Sequence, residues 1–223
     1  MGDYAVSDED KKLVLDYYKS THLNPENLSG VYDDLSPMYD KIISILKYEA
    51  FKRLAKDLAV FLEYENLLEK RILDVGCGNG KVGKSLVEEG FQNIDGLDIS
   101  EKLLEICKET KCYNKLFNVP LTTNSTPGIE ENTYDIAVSS GSYIAGHIPM
   151  DTLFELTRIV KPGGYIFYTL HDPNYTMDYM NWHGKIMEKK KAELISMKLA
   201  PYRLEPKNDF KPTYCYDVMF KVL

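Results

Sequence analysis

The chain has 223 residues, of which 44% are hydrophobic, and it carries a formal net charge of −7 with four cysteines. This length suits one large domain, and the acidic balance disfavours a nucleic-acid partner, which needs a basic face. No apolar run reaches the roughly 18–20 residues of a membrane span, and the first residues do not resemble a signal peptide, so we expect a cytoplasmic protein without a membrane partner. The cysteines show no metal-binding spacing, so we expect no metal.

The first predicted element is a helix over residues 7–21. Ser7 is a suitable cap because Asp10 follows three residues later. Residues 22–36 contain several turn-forming pairs, including Asn24-Pro25, and predict a loop.

A second helix is predicted over residues 37–63, with Pro37 in its first turn. Its apolar residues recur at helical spacing, at Ile43, Leu46, Ala50, Leu54, Leu58 and Leu62. We therefore expect residues 1–63 to form a helical extension or lid. Residues 64–223 would form the main part of what we expect to be a single domain.

From residue 71 onward, short apolar runs alternate with helical patterns. The predicted strands cover residues 71–76, 93–98, 114–119, 134–140 and 165–170, and the helices between them cover residues 80–90, 101–110 and 150–160. In the first of these helices, Val82, Leu86 and Val87 are expected to face inward, and Ser100 is expected to cap the second. Such alternation predicts a parallel sheet with helices on both faces.

The remaining segments complete the prediction. Residues 122–132 are polar and predict a loop, and Pro162 and the two glycines after it predict a turn over residues 161–164. Residues 178–198 predict a helix, followed by two short strands over residues 201–206 and 214–222. The expected fold is α/β: a Rossmann-like, doubly wound, mostly parallel sheet of seven strands.

A glycine-rich loop follows the first predicted strand. The apolar run that begins at Ile72 leads to Asp74, and Gly76, Gly78 and Gly80 follow at alternate positions. Glycines allow positive φ and carry no Cβ, so a ligand can lie against the backbone there. Asp98 ends the second predicted strand, where a carboxylate can accept hydrogen bonds from both hydroxyls of a ribose. The pattern predicts a nucleoside-containing ligand.

The glycine loop and Asp98 do not choose the cofactor by themselves. Gly78, Gly80 and Gly83 also match the dinucleotide-binding pattern, so an NAD-dependent oxidoreductase is one alternative. Asp74 favours a different ligand, because a carboxylate repels a pyrophosphate and attracts an ammonium or sulfonium group. In the alternative interpretation, Asp74 contacts no ligand and only accepts hydrogen bonds from the backbone amides of the loop.

Four segments together resemble the class I S-adenosylmethionine-dependent methyltransferases. They are residues 73–80, 97–100, 134–140 and 160–164. Residues 31–40, with Tyr-Asp pairs at both ends, are similar to a segment of the methyltransferase-like subgroup typified by the Williams–Beuren-region methyltransferase. The resemblance implies S-adenosylmethionine as the cofactor and methyl transfer as the activity.

The resemblance also implies roles for individual residues. The implied cofactor-binding residues are Asp74 for the ammonium group, Gly76, Cys77, Gly78 and Gly80 in the loop, Asp98 for the ribose, Ile99, Leu121 and Thr122 around the adenine, Ser139 and Ser140 on the methionine side, and Tyr32 and Tyr39 in a lid. For Tyr32 and Tyr39, two of 17 tyrosines, core packing is the alternative.

No catalytic signature is expected, because methyl transfer needs an aligned nucleophile and a base only for some acceptors. Candidate residues beside the acceptor are Tyr143, His147, His171, Asp172 and Tyr175. His147 could be a base or a loop histidine bonded to the backbone. We expect a small-molecule acceptor and a monomer or homodimer. A binding protein with little activity, serving as a regulator or partner subunit, is the second alternative.

Overall fold

The computed structural model describes residues 6–23, 25–171, 176–203 and 213–223. Within this part of the chain the strands are β1 (Arg71–Val75), β2 (Asn93–Asp98), β3 (Lys115–Asn118), β4 (Tyr134–Tyr143), β5 (Val160–His171), β6 (Ala192–Arg203) and β7 (Thr213–Val222). They form one seven-stranded sheet in the order β3-β2-β1-β4-β5-β7-β6. Strands β1 to β5 pair in parallel, and β7 pairs antiparallel with both β5 and β6. The predicted fold class is confirmed.

Helices cover both faces of this sheet. In the described residues they are α1 (Asp8–Leu23), α2 (Leu28–Leu35), α3 (Tyr39–Ile45), α4 (Ala50–Phe61), α5 (Lys81–Glu88), α6 (Glu101–Glu109), α7 (Leu153–Ile159) and α8 (Thr176–Glu188). One buried cluster joins α4 and α5 to Ile72 and Ile136 of the sheet. A second cluster joins α7 and α8 to Leu73 and Val75. Neighbouring residues of β1 thus face opposite helical layers, as strand geometry requires.

The loop predicted over residues 22–36 is wrong for the segment that forms α2. Leu28, Tyr32 and Leu35 recur at helical spacing, and Leu28 is buried while the other two pack against a cluster formed with α1 and α3. Polar residues and Gly30 between them obscure this stripe in the sequence. Tertiary contacts of the apolar stripe therefore outweigh the turn-forming composition.

The continuous helix predicted over residues 37–63 is also wrong. It is divided into α3 and α4, because Lys47 adopts φ +47°, which ends the first helix. Tyr48 then forms a short antiparallel bridge with Arg203 of β6. All six apolar positions named for this segment are nonetheless buried, so the predicted inward face is correct across the break.

In α5, Val82 and Leu86 are buried as predicted, but the prediction for Val87 is wrong. Its side chain is 42% exposed. Each residue of a helix turns by about 100°, so Val87, one position beyond Leu86, points away from the stripe that faces the sheet.

The turn predicted over residues 161–164 is wrong, because this segment belongs to β5. Tyr134 pairs with Val160, and the next pair is Ile136 with Tyr165, so the four residues between form an irregularity inside the strand. Gly163 adopts φ +83° there. Pro162 and the two glycines after it do mark an irregularity of the chain, but pairing with β4 continues on both sides of it.

The helix predicted over residues 178–198 ends early. It stops at Glu188, Lys190 adopts φ +50°, and β6 begins at Ala192. The strand predicted over residues 201–206 therefore begins nine residues too late, and residues 204–206 lie outside the described residues. Pairing with β7 decides this segment, since β6 has a partner along most of its length.

Candidate functional site

A cavity of about 230 Å³ lies beyond the carboxyl ends of β1, β2 and β4. Its walls come from the loops that follow these strands and from the N-terminal helices α2 and α3. The lining residues are Leu28, Tyr32, Tyr39, Gly76, Gly78, Leu97, Asp98, Ile99, Leu103, Pro120, Leu121, Ser140, Gly141, Ser142, Gly146, His147, Ile148 and Pro149. In open α/β sheets, ligands bind at this edge.

The glycine loop forms the floor of the cavity. Gly76 adopts φ +71°, and a Cβ built on it would lie 2.1 Å from Ser142 Oγ. Gly78 adopts φ +52°, and a Cβ there would have Tyr39 at 4.0 Å as its nearest neighbour. Glycine is therefore required at position 76 for space and at both positions for backbone geometry. The bare peptide planes form a cradle that a side chain would fill.

Asp98 lies at the end of β2 and is held by backbone donors. The Gly78 N–H donates to Oδ2 at 2.8 Å, and the Ser100 N–H donates to Oδ1 at 2.9 Å. Burial raises the pKa of Asp98, and the N–H groups of Ser100, Gly78 and Ile99 oppose this rise. These bonds fix the carboxylate on the cavity wall beside the glycine loop, where it can accept further hydrogen bonds.

Asp74 is completely buried and incompletely partnered. Tyr113 OH donates to its Oδ2 at 2.6 Å, while Oδ1 has no hydrogen-bond partner among the described residues. Burial raises the pKa of Asp74 to about 7, the Tyr113 hydroxyl opposes that rise, and the charge of Asp98 adds to it. A buried carboxylate oxygen without a donor is costly, and Asp74 stands two residues before the first glycine of the loop.

The helices α2 and α3, which belong to the predicted lid, are fixed to the cavity rim by polar contacts. Ser29 Oγ donates to the Ile99 carbonyl at 2.8 Å. Asp33 Oδ1 accepts from Ser100 Oγ at 2.6 Å and from the Lys102 N–H at 3.1 Å. Lower on the rim, Asp40 Oδ1 accepts from Asn79 Nδ2 at 2.8 Å and from Lys81 Nζ at 2.7 Å. The helices α2 and α3 are thus tied to the segments after β1 and β2.

Under this lid, two aromatic side chains face the cavity. The rings of Tyr32 and Tyr39 make an edge contact with centroids 5.9 Å apart. Tyr32 OH also lies 2.7 Å from His147 Nε2. The two tyrosines therefore line the cavity and also pack against a cluster formed by α1 and α3, and their contact with a cofactor stays a prediction.

The wall opposite Asp98 is built on an irregular part of β4. Its pairing with β5 shifts between Ser139 and Tyr143, and Gly141 adopts φ +82°. A Cβ on Gly141 would lie 2.9 Å from Tyr48 OH. This bulge turns Ser140 and its neighbours toward the cavity, which is a common role of bulges beside functional sites.

Many of the residues implied by the resemblance come together on the cavity wall. Those that line it are Tyr32, Tyr39, Gly76, Gly78, Asp98, Ile99, Leu121 and Ser140. Ser100 caps α6 as predicted, since its Oγ accepts from the Leu103 N–H at 3.1 Å.

Other implied residues lie behind this wall. Cys77 is buried against α6, and Gly80 begins α5 at φ +85°. Ser139 Oγ donates to the Val75 carbonyl at 2.8 Å, and Thr122 Oγ1 donates to the Asn124 carbonyl at 2.6 Å. Together with Asp74, these residues do not line the cavity, and contact with a cofactor stays a prediction for each of them.

Of the candidates beside the acceptor, only His147 lines the cavity among the described residues. Tyr143 is buried, and its OH lies 3.2 Å from Thr152 Oγ1. His171 stacks on Tyr202 with ring centroids 4.1 Å apart. Asp172 and Tyr175 lie outside the described residues.

Several residues of the wall were not predicted from the sequence. They are Leu28, Leu103, Pro120, Gly141, Ser142, Gly146, Ile148 and Pro149. Gly141 and Gly146 follow the fourth predicted strand in the sequence, and both adopt positive φ. These two glycines were the signal from which this part of the wall could have been predicted. In the described part of the chain, no cluster of three or more histidine, cysteine or acidic side chains is arranged to hold a metal ion. Nor does any described helix have the length and apolarity needed to cross a membrane.

Residues 46–198 match the model of a protein family described as a methyltransferase domain. Human methyltransferase-like protein 27 is 31% identical over 148 residues, which are 66% of this chain and 59% of that protein. The ubiquinone biosynthesis O-methyltransferase of Vibrio cholerae is 30% identical over 110 residues, which are 48% of this chain and 44% of that protein. The chain thus matches about half the length of these relatives.

Solved structures support the fold independently. A protein from Methanococcus maripaludis, named as an S-adenosyl-L-methionine-dependent methyltransferase, superposes with a TM-score of 0.60 at 15% identity. The superposition covers 85% of this chain and 93% of the other. At this identity, the likeness establishes a shared architecture.

Proposed function

This chain belongs to the methyltransferase domain family, and from that premise we propose that it transfers a methyl group from S-adenosylmethionine to a small-molecule acceptor. The family confirms the resemblance found in the sequence. The NAD-dependent alternative has no comparable support. A protein of this family could bind the cofactor without transferring its methyl group, so cofactor binding and methyl transfer are tested separately.

The order of side chains along one sheet edge carries the proposal. Leu121 follows β3, Asp98 ends β2, Gly76 and Gly78 follow β1, and His147 follows β4. Because β3, β2, β1 and β4 are neighbours in the sheet, an adenosyl group would extend from Leu121 past Asp98 toward the glycine loop. The reactive end of the cofactor would then lie on the β4 side of the cavity.

The residues present fit this cofactor. The open space at Gly78 leaves room for it, Asp98 offers carboxylate oxygens for a ribose, and the unpartnered Asp74 Oδ1 suits an ammonium group reached through water. When bound, the cofactor supplies a methyl group activated by a positively charged sulfur. Tyr32 and Tyr39 cover the cavity, orient its contents and exclude water.

A small acceptor is favoured by the size and closure of the site. The cavity measures about 230 Å³ and lies beneath α2 and α3. The net charge of −7 also disfavours a polyanionic acceptor. The relative from Vibrio cholerae is named for ubiquinone biosynthesis, which is consistent with a small organic acceptor here.

Calorimetry and labelling test the proposal together. We expect S-adenosylmethionine to bind with one-to-one stoichiometry, while NAD gives no heat at the same concentrations. Label from the methyl group should then appear in a member of a metabolite panel. Binding without transfer to any member would favour the binding-protein alternative, and binding of NAD alone would favour the oxidoreductase.

A further inference from the structure

A hydrogen-bonded pair, Tyr32 and His147, faces the cavity from opposite walls. Tyr32 OH lies 2.7 Å from His147 Nε2, and His147 Nδ1 lies 3.1 Å from the Ala145 carbonyl oxygen. A carbonyl can only accept, so Nδ1 carries the ring proton. Nε2 is then an acceptor, and Tyr32 donates to it.

The surroundings keep both groups in these states. Burial lowers the pKa of His147, the Ala145 carbonyl opposes this change, and the charge of His22 from the end of α1 adds to it. Burial raises the pKa of Tyr32, so its hydroxyl stays protonated. At neutral pH, Nε2 of His147 is therefore an uncharged base that accepts from Tyr32 at the cavity wall.

His147 stands at the reactive end of the site. The loop that carries it follows β4, on the side of β1 opposite to β2 and Asp98. A Cβ on Gly76 would lie 3.8 Å from Ile148 Cδ1, so this loop touches the glycine loop directly. On the proposed function, the adenosine lies toward Asp98, and the methyl group lies toward His147.

The charge on the wall restricts the acceptor. Among the described residues that line the cavity, Asp98 is the one carboxylate, and there is no lysine or arginine. A cationic amine would need a carboxylate near His147, and an anionic acceptor would need a cation there. The wall near His147 instead offers the hydroxyls of Ser142 and Tyr32, which suit a neutral acceptor that forms hydrogen bonds.

Resting on the proposed function, we infer that the acceptor is a phenolic or enolic hydroxyl compound and that His147 Nε2 takes its proton. The acceptor hydroxyl replaces Tyr32 OH as the donor to Nε2. In the step, the proton moves to Nε2 as the acceptor oxygen bonds to the methyl carbon. The carbon–sulfur bond breaks, its electron pair stays on sulfur, and the histidine later releases the proton to solvent.

Transfer to three ring compounds tests the acceptor class. We would offer catechol, thiophenol and benzylamine separately with labelled S-adenosylmethionine. We expect label in catechol, and we expect His147→Asn to lower kcat by about 100-fold or more. The cofactor Kd of this variant should stay within about twofold, since the base does not hold the adenosyl group.

The outcomes separate this inference from the function on which it rests. Label in thiophenol or benzylamine but not in catechol would overturn the inference and leave the methyltransferase standing. Cofactor binding without transfer to catechol, or full catechol turnover by His147→Asn, would also overturn it. Absence of cofactor binding would overturn the proposed function itself.

A measurement without turnover checks the state of the base. In ¹⁵N spectra of the histidine side chains, His147 should show the Nδ1–H tautomer, with its signals assigned by their loss in His147→Asn. Tyr32→Phe should shift Nε2, and catechol with S-adenosylhomocysteine should shift it back. Tyr64→Phe is the matched control, because Tyr64 is 94% exposed. An Nε2–H tautomer, or no response to Tyr32→Phe, would contradict the inference.

Discussion

Two buried carboxylates beside the glycine loop have different surroundings. Asp98 accepts from two backbone N–H groups, whereas Asp74 accepts from one phenol and keeps one oxygen without a partner. Backbone donors favour the charged form, and burial without donors favours the neutral form. On the proposed function, Asp98 would accept hydrogen bonds from the ribose, and the charge of Asp74 would become favourable only when a cation approaches.

Asp98→Ala should weaken S-adenosylmethionine binding by about 1–3 kcal/mol, because it removes charge-assisted hydrogen bonds to the ribose. Calorimetric titration measures this as a rise in Kd of roughly 5- to 150-fold. Asp57→Ala, on α4 away from the cavity, serves as the control and should leave Kd unchanged. An unchanged Kd in Asp98→Ala would remove the ribose assignment.

Asp74→Asn should alter how the stability of the cofactor-free protein depends on pH. The pKa of Asp74 is about 7 in the folded protein, above its ordinary value of 3.8, so the fold retains a proton that the unfolded chain releases. The contribution of the Asp74 proton to the free energy of unfolding is fully present below pH 4, and it is lost as the pH rises toward 7. We expect the variant to melt a few degrees above the wild type at pH 8 and to match it near pH 4.

Thermal melts across this range measure the effect without any cofactor. The control is Tyr113→Phe, which removes the donor that holds the pKa of Asp74 down and should extend the pH-dependent loss to higher pH. If the melting temperatures of Asp74→Asn and the wild type differ by the same amount at every pH, the Asp74 carboxyl does not titrate as assigned.

At the scale of elements, the lid depends on tertiary contacts. Helices of eight and seven residues, such as α2 and α3, are too short to be stable alone. Their apolar stripe packs against α1, and their polar residues bond to the loops after β1 and β2. These contacts hold α2 and α3 over the cavity, and on the proposed function they would have to break for a cofactor to enter.

Asp33→Ala should speed cofactor release, since Asp33 joins α2 to the first turn of α6 through Ser100 and Lys102. Loss of these bonds should cost about 1–2 kcal/mol and raise the dissociation rate roughly 5- to 30-fold. Stopped-flow displacement measures the rate, and hydrogen exchange in α2 should quicken in parallel. Asp34→Ala, the exposed neighbour, is the matched control, and equal rates in the two variants would contradict a lid role for Asp33.

At the scale of the whole molecule, hydrogen bonds join helix α4 to the C-terminal strands β6 and β7. Arg53 of α4 donates to both oxygens of Asp217 in β7, at 2.7 and 2.9 Å, and to the Pro201 carbonyl of β6 at 2.6 Å. Asp217 is buried, and Arg53 supplies its charge partner. The boundary predicted at residue 63 remains a prediction, but α4 on its N-terminal side packs into the sheet core.

Arg53→Leu should lower the free energy of unfolding by about 3–5 kcal/mol, because it leaves the Asp217 carboxylate buried without a partner. Urea titration measures the loss. The double variant Arg53→Leu with Asp217→Leu should recover much of it, since no charge then remains buried. A loss below about 1 kcal/mol in the single variant would mean that water reaches Asp217.

The sequence by itself determined the features that depend on neighbours along the chain. Gly76 and Gly78 mark a loop that needs positive φ, Asp98 ends an apolar run, and Ser100 caps the helix that follows. The alternation of strands and helices likewise identified the sheet and the edge at which the cavity lies. These signals are local, because backbone sterics, capping and periodicity act over a few residues.

Only the tertiary structure decided what depends on distant partners. Tyr32 meets His147 across 115 residues, and α2 and β6 form where turn and helix patterns predicted otherwise. Of the acceptor-side candidates Tyr143, His147 and His171, the fold leaves only His147 on the cavity wall of the described chain. Such pairings form when burial and sheet pairing outweigh local propensity, and a linear pattern does not record which surfaces meet.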